Sequence, residues 1–166
     1  MSRLRSAFIC MALAAPALVA GDYDAMFSAM KKAWPQCETI AVVCDASSSK
    51  ASLATLTGAA SGMKVIVVDV KGPQDMGKAI GTLNGRKPDA VVLLAGDKVA
   101  GDGSSAASFL IQRMAGIKVP TAATTEAGVK QGAALGIGPG TGGKLLSNAK
   151  VAAVAGVAVP AGATTL

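Results

Sequence analysis

Short apolar runs alternate with helical patterns along most of the chain, and this alternation constrains the fold more than any other feature. Five runs rich in Ala and β-branched residues have strand length, and apolar residues recur at helical spacing between them. The predicted strands are 39–44, 64–69, 90–95, 119–122 and 133–137, and the predicted helices are 22–33, 50–60, 74–84, 104–115, 125–130 and 144–155. Such alternation predicts a parallel sheet with helices on both faces.

The expected architecture is therefore one α/β domain with a single doubly wound, parallel, five-stranded sheet. Its expected strand order is the flavodoxin-like order 2-1-3-4-5, and continuous apolar strands are typical of sheets buried on both faces. The fourth strand contains Pro120, which favours a position toward a sheet edge. Residues 138–143 are predicted to form a glycine loop, and residues 156–166 a turn-rich tail.

The first twenty residues have the pattern of a secretory signal peptide. Arg3 and Arg5 precede an uncharged apolar run over 7–20, and small residues precede candidate cleavage points after Ala17 and Ala20. The run is shorter than the about 20 apolar residues of a membrane-spanning helix, and a buried N-terminal helix is the alternative. We predict a signal peptide over 1–20, one domain over 21–166, and a periplasmic or secreted location.

Composition disfavours several functional classes. The chain has no His, so Ser-His-Asp and Cys-His nucleophile systems and most zinc sites are excluded. Aromatic residues make up 3% and the lysines are scattered, which disfavours nucleic-acid binding. Cys37 and Cys44 are predicted to be small buried residues, because an extended strand would separate their Cα atoms by roughly 20 Å, far beyond disulfide reach.

Polar residues follow the predicted strands and define a candidate ligand site. The carboxyl ends of parallel strands meet at one edge of the sheet, where ligands of such folds bind. The candidate ligand-binding residues are Asp45, Ser47, Ser48, Ser49, Gly96, Asp97, Thr124, Thr125, Glu126 and Gly138. The three serines precede a predicted helix, so they suit either an anion at the helix N-terminus or simple helix capping.

Two further patterns suggest chemistry and are weighed against simpler interpretations. Residues 138–145 nearly match the phosphate-binding pattern GxxxxGK[ST], but Leu145 stands where a hydroxyl should bind magnesium. Simple anion binding or a flexible turn explains this loop better than nucleotide hydrolysis. Asp97 and Asp102 flank a loop with glycines, which is more typical of turns than of paired catalytic acids.

From Tyr23 to about Val159 the chain resembles the second lobe of ABC-transporter substrate-binding proteins of the tryptophan/tyrosine type, which have the type I periplasmic-binding-protein fold. The resemblance is carried by Ala33-Trp34-Pro35 with the strand and loop over 40–47, by Pro88-Asp89-Ala90-Val91 with Gly96-Asp97, by Val119-Pro120, and by residues 129–138. The chain departs from the family where Asp45-Ala46 replaces Asn-Pro and where residues 139–143 lack a Tyr. It matches one lobe of a two-lobed family.

The resemblance implies an exported, non-enzymatic module that binds a small amino-acid-like or carboxylate molecule, without a cofactor. A single lobe offers half a cleft, so a homodimer or a second lobe on another chain is expected to complete it, and an ABC permease is a further implied partner. The alternative is a non-catalytic structural or interaction protein of the cell envelope with the same fold. An enzyme acting on a phosphorylated or carboxylated ligand is the third possibility.

Overall fold

The computed structural model describes residues 20–140 and 143–166. The predicted signal peptide lies almost entirely outside these residues and stays a prediction. The strands are β1 Thr39–Cys44, β2 Lys64–Asp69, β3 Ala90–Val92, β4 Thr121–Thr125, β5 Leu135–Gly140, β6 Leu146–Ser147 and β7 Thr164–Thr165. The helices are α1 Ala20–Ala33, α2 Lys50–Ala59, α3 Met76–Arg86, α4 Ser105–Gly116, α5 Glu126–Lys130 and α6 Ala149–Ala155, and a 3-10 turn, Pro73–Asp75, precedes α3.

The strands form one seven-stranded sheet in the order β2-β1-β3-β4-β5-β6-β7. Strands β1 to β5 are parallel and follow the expected order 2-1-3-4-5, but the expectation of five strands was wrong. Strand β6 pairs antiparallel with β5, and β7 pairs parallel with β6. Both added strands have two residues, which is too short to give a hydrophobic period in the sequence.

Strand β4 lies inside the sheet, between β3 and β5, so its predicted place toward an edge was wrong. The strand begins at Thr121, one residue after Pro120, and the Pro120 carbonyl accepts a hydrogen bond from Val91 N at 3.0 Å. Proline lacks an N–H but keeps its acceptor. Its position just before the strand therefore leaves the ladder of β4 intact.

The segment after β5 also differs from expectation. Strand β5 continues to Gly140, so residues 138–140 are strand rather than loop, and residues 141–142 lie outside the described residues. The helix expected over 144–155 begins only at Ala149, after β6. Asn148 caps it, since its Oδ1 accepts from Val151 N at 3.2 Å, as polar residues at helix N-termini commonly do.

Two apolar clusters pack on the two faces of the sheet. Alternate residues of β1 point to opposite faces: Ile40 and Val42 pack against α1 and α2, while Ala41 and Val43 pack against α3 and α4. All four are 0% exposed, as expected of a parallel sheet that is covered on both sides. Within the described residues, no helix is long and apolar enough to cross a membrane.

Helix α5 packs very closely on the sheet through glycine. A Cβ built at Gly128 would lie 2.5 Å from the Ala123 Cβ, and one built at Gly136 would lie 2.2 Å from Val129 Cγ2. Both distances are shorter than real carbon contacts. The two glycines therefore let this short helix lie directly on β4 and β5, at the ends of the strands where the candidate site was predicted.

Both cysteines in the described part of the chain are buried and unpaired, as predicted. Burial raises the pKa of the Cys37 thiol to about 11, and Asp89 adds to the effect. Burial raises the pKa of the Cys44 thiol to about 12, with Asp97 the next contributor. Both therefore stay protonated thiols near neutral pH, which makes them poor nucleophiles.

Candidate functional site

The predicted site residues lie at the carboxyl ends of β1, β3, β4 and β5, the edge of the sheet that we call the carboxyl edge. Residues 45–49 follow β1, Gly96 and Asp97 follow β3, Thr124 and Thr125 end β4, and Glu126 begins α5. Gly138 lies within β5 rather than in a loop after it. The order of the strands reverses between β1 and β3, so the first two of these loops flank the reversal.

Asp97 is a buried anchor that joins the loops after β1 and β3. The residue is 7% exposed. Its Oδ1 accepts hydrogen bonds from Val99 N at 2.9 Å and Ala100 N at 2.8 Å, and its Oδ2 accepts from Asp45 N at 2.9 Å and Ser49 Oγ at 2.5 Å. Both oxygens are thus occupied, as buried carboxylates require. The geometry favours a positioning role for Asp97 and Ser49 rather than contact with a ligand.

Lys71 joins two carboxylates at the outer part of the edge. Its Nζ lies 2.6 Å from Asp45 Oδ1, 3.0 Å from Asp69 Oδ1 and 3.1 Å from Ser47 Oγ. Ser47 Oγ also donates to Asp45 Oδ1 at 2.6 Å, and Asp69 Oδ1 accepts from Ala46 N at 2.9 Å. We call Asp45, Ser47, Asp69 and Lys71 the Lys71 cluster.

The Lys71 cluster is charged and open to solvent. The side chains of Lys71 and Asp69 are 53% and 49% exposed, and that of Asp45 is 18% exposed. Lys71 and Ser47 hold the pKa of Asp45 well below its usual range. The Ala46 N–H and Lys71 lower the pKa of Asp69, while Asp45 and Asp69 raise the pKa of Lys71. All three groups are therefore ionised at neutral pH, and they present both signs of charge to solvent.

The three serines before α2 do not cap the helix. Ser49 stands at the N-cap, yet its side chain makes no capping hydrogen bond, because its hydroxyl donates to Asp97. Ser47 donates to the Asp45 carboxylate, and Ser48 donates to the Asp45 carbonyl at 3.3 Å. The capping interpretation is therefore wrong for these side chains. Ser47 and Ser48 are exposed beside the first turn of α2.

The residues after β4 are held by local contacts of their own. Thr124 is fully buried, and its N and Oγ1 both donate to Asp102 Oδ2, at 2.7 and 3.1 Å. Thr125 caps α5 by accepting from Gly128 N at 3.1 Å. Glu126 pairs with Lys130 one turn later, and this pair lowers the pKa of Glu126. These threonines and Glu126 thus shape the edge, and the side chain of Glu126 is 46% exposed.

Asp102 was considered in the sequence only as a partner of Asp97. The two acids belong to separate hydrogen-bond networks, since Asp97 binds the β1 loop and Asp102 binds Thr124. Asp102 Oδ1 is buried and has no hydrogen-bond partner within the described residues. Burial raises the pKa of this carboxyl, because a buried charge lacks the stabilisation that water supplies.

The glycine segment does not have the context of a nucleotide-binding loop. Such a loop runs from a strand directly into a helix. Here Lys144 and Leu145 lead into β6, and α6 begins at Ala149. Among the described residues, no group of three or more Cys, Asp or Glu side chains is arranged to hold a metal ion.

Sequence reasoning missed Asp69 and Lys71. The predicted site included the residues after β1, β3 and β4 but not those after β2, although the same rule applies to every parallel strand. Asp69 ends β2 and Lys71 follows two residues later. A polar pair at the end of an apolar strand was the signal that would have found them.

No protein-family model matches the chain, and no curated protein has significant sequence similarity to it. Solved structures do share its fold. A conserved domain protein from Vibrio cholerae superposes with a TM-score of 0.72 at 19% identity, over 86% of this chain and 59% of its own. An ABC domain from Streptococcus pneumoniae in complex with L-Trp superposes with a TM-score of 0.70 at 17% identity, over 87% of this chain and 60% of its own.

A substrate-binding protein with adhesive properties from Clostridium difficile, in a ligand-free open structure, gives a TM-score of 0.69 at 18% identity, over 84% of this chain and 58% of its own. The chain therefore shares its fold with one part of each of these structures, and this agrees with the fold that the resemblance predicted. It spans about three fifths of the length of these neighbours.

Proposed function

We propose that the chain is an exported binding module for a small amino-acid-like or carboxylate molecule, related in fold to ABC-transporter substrate-binding proteins. The observation that carries the proposal is the Lys71 cluster, which presents exposed groups of both charges at the carboxyl edge. In open parallel sheets ligands bind at this edge, beside the reversal of strand order. Asp45 follows β1, which lies next to that reversal. No catalytic activity and no cofactor are proposed.

The chemistry of the cluster fits a zwitterion. Asp45 and Asp69 supply acceptors for an ammonium group, and Lys71 supplies donors for a carboxylate. These groups now satisfy one another through ion pairs in which Lys71 and Asp69 are about half exposed and Asp45 is partly buried. Exposed ion pairs contribute little to stability, so a ligand can exchange with them at small cost. The backbone beneath is fixed by the buried Asp97, which keeps the loop after β1 in place.

The proposed site is one wall of a cleft. Small-molecule sites bury about 70–90% of the ligand surface, whereas Ser47, Asp69 and Lys71 are exposed on one side of the sheet edge. Tight binding is therefore expected to need a second wall. A homodimer or a lobe on another chain would supply it, and an ABC permease would receive the loaded module.

A second candidate function is a non-catalytic structural or interaction role in the cell envelope. A protein of the same fold, with a TM-score of 0.69, is described as having adhesive properties. In that case the carboxyl edge would be a docking surface for another envelope protein. The two functions differ in what the edge recognises, and substitution of its residues separates them.

Titration calorimetry with L-amino acids, together with mass measurement in solution, tests the proposal. We expect weak binding by the monomer and tight binding only with a second wall present. The double variant Asp45→Ala/Ser47→Ala should lose ligand, and Asp24→Ala, an exposed acid on α1, should keep it. A monomer that binds tightly would contradict the need for a second wall. Unchanged affinity in the double variant would contradict the site, and a docking protein would keep its protein partner.

A further inference from the structure

Strand β2 is an edge strand of the sheet, at the opposite end of the strand order from β7. It pairs with β1 on one side, and within residues 20–140 and 143–166 no strand pairs with its other side. Lys64 N donates to the Glu38 carbonyl at 2.8 Å, and Val70 N donates to the Cys44 carbonyl at 3.0 Å. Even-numbered residues of β2 thus direct their backbone groups toward β1. Because alternate residues point to opposite sides, Val65, Val67 and Asp69 direct theirs outward.

The unpaired side of β2 lacks the features that prevent an edge strand from pairing with another chain. Soluble proteins usually protect an exposed edge with a central charge, a proline or a bulge. Here four branched aliphatic residues stand in sequence over 65–68, and the charges of the strand lie only at its ends, Lys64 and Asp69. Val67, in the middle of the outward-facing set, is 42% exposed. The segment has the high β-propensity and low charge of self-pairing strands.

We propose that β2 pairs antiparallel with β2 of a second copy, about a two-fold axis through Val67. In an antiparallel ladder, residues with outward backbone groups stand opposite one another and exchange both hydrogen bonds. Val67 then faces its own copy, and Val65 faces Asp69 of the second copy. Every outward N–H and C=O of Val65, Val67 and Asp69 finds a partner. The pairing is self-complementary and closes as a dimer rather than growing into a fibre.

Charge complementarity favours a second copy as the occupant. The amino end of β2 carries Lys64, whereas the carboxyl end carries Asp69 and, beyond the turn, Asp75. Lys71 also lies at the carboxyl end, paired with Asp45 and Asp69, and Lys78 lines the same surface pocket as Asp69 and Asp75, so this end holds three carboxylates against two ammonium groups. Antiparallel pairing lays the basic end of one strand along the acidic end of the other. A parallel arrangement would instead place like charges together.

In this dimer the amino end of one β2 lies beside the Lys71 cluster of the other copy, because Asp69 stands opposite Val65. The carboxyl edges of the two copies point in opposite directions, so they do not face each other across a cleft. The second wall of the ligand site would then come from a different chain. The inference does not rest on the proposed function: the dimer can form without any ligand, and ligand can bind without the dimer.

The test is the mass of the purified protein in solution, without ligand, across a range of concentrations by light scattering and sedimentation. The variant Val67→Lys places a charge at the two-fold axis. Its matched control is Val154→Lys on α6, where the wild-type side chain is 59% exposed. We expect the wild type and Val154→Lys to have twice the mass of Val67→Lys, with unchanged circular dichroism in all three.

Hydrogen exchange provides the second measurement, at the level of single residues. The outward amides of Val65 and Val67 should exchange slowly in the dimer and rapidly in Val67→Lys, while the Val68 amide, which faces β1, should stay protected in both. A wild type that is monomeric at all concentrations overturns the proposal. A dimer that persists in Val67→Lys, or assemblies larger than two copies, overturns it as well.

Discussion

Removal of the Asp97 carboxylate should destabilise the fold far more than removal of an exposed carboxylate with similar bonds. In Asp97→Ala, the N–H groups of Val99 and Ala100, which are 8% and 0% exposed, lose their acceptor, and so does Asp45 N. Each buried donor left without a partner costs about 1–3 kcal/mol. We expect a loss of about 3–5 kcal/mol, because Asp45 N lies nearer to water and keeps part of its hydrogen bonding.

Asp89→Ala is the matched control. Asp89 Oδ2 also accepts from two backbone N–H groups, those of Glu38 at 3.0 Å and Thr39 at 2.8 Å, but Asp89 is exposed. Water replaces the lost acceptor there, so the expected cost is about 1 kcal/mol. Ser49→Ala removes a single hydrogen bond to the buried Asp97 carboxylate, so its loss of stability should lie between those of Asp97→Ala and Asp89→Ala.

Urea unfolding followed by circular dichroism measures these differences as shifts of the midpoint at constant slope. A loss of 3–5 kcal/mol corresponds to a fall in melting temperature of about 10–15 °C for a domain of this size. Equal losses in Asp97→Ala and Asp89→Ala would refute the reasoning that burial makes Asp97 the anchor of the two loops. A change in slope would instead show a change in the surface exposed on unfolding or a loss of two-state behaviour.

Three further variants test other parts of the structure. Gly128→Ala should lower the free energy of unfolding by about 1–3 kcal/mol through overpacking, because its Cβ would lie 2.5 Å from the Ala123 Cβ. Gly77→Ala in α3 is the control: its Cβ would have no atom within 4 Å, so it should stabilise the protein by about 0.5–1 kcal/mol in the same urea assay. The pKa of Asp102 is raised in the folded state, so the stability that its protonated form contributes is present at low pH and is lost as pH rises through the folded-state pKa. The free energy of unfolding of Asp102→Asn relative to wild type should therefore increase from pH 4 to pH 7, and a difference that stays constant over this range would contradict this. Lys71→Met should raise the pKa of Asp45 toward its ordinary value in an NMR titration, and an unchanged value would show that the ion pair does not form in solution.

The parallel part of the fold was predictable because its strands have clear sequence limits. The bounds of β1 and β2 agree with the predicted 39–44 and 64–69, since each is a β-branched run closed by polar or turn residues. Strands β3, β4 and β5 were found with shifted ends. The two-residue strands β6 and β7 were missed, because their pairing depends on contacts between distant segments rather than on local periodicity.

The site was predicted in place but not in detail. The rule for parallel strands located Asp45, Ser47 and Asp97 at one edge. It could not separate the buried Asp97 from the exposed Ser47, because that difference arises from how the two loops pack. Lys71 was treated as a scattered lysine, since its ion pair with Asp45 joins residues 26 positions apart in sequence and forms only when β1 and β2 are adjacent.

The most direct measurement of the central claim is NMR mapping of ligand binding on ¹⁵N-labelled protein. A zwitterionic amino acid such as L-Trp is added up to millimolar concentration, where binding to a single wall is detectable. Binding at the carboxyl edge predicts saturable shift changes at residues 45–49 and 69–71, and none at residues 36–37 or 118–119 at the opposite edge. Shift changes confined to the opposite edge, or no saturable change at the carboxyl edge, would contradict the proposed ligand site.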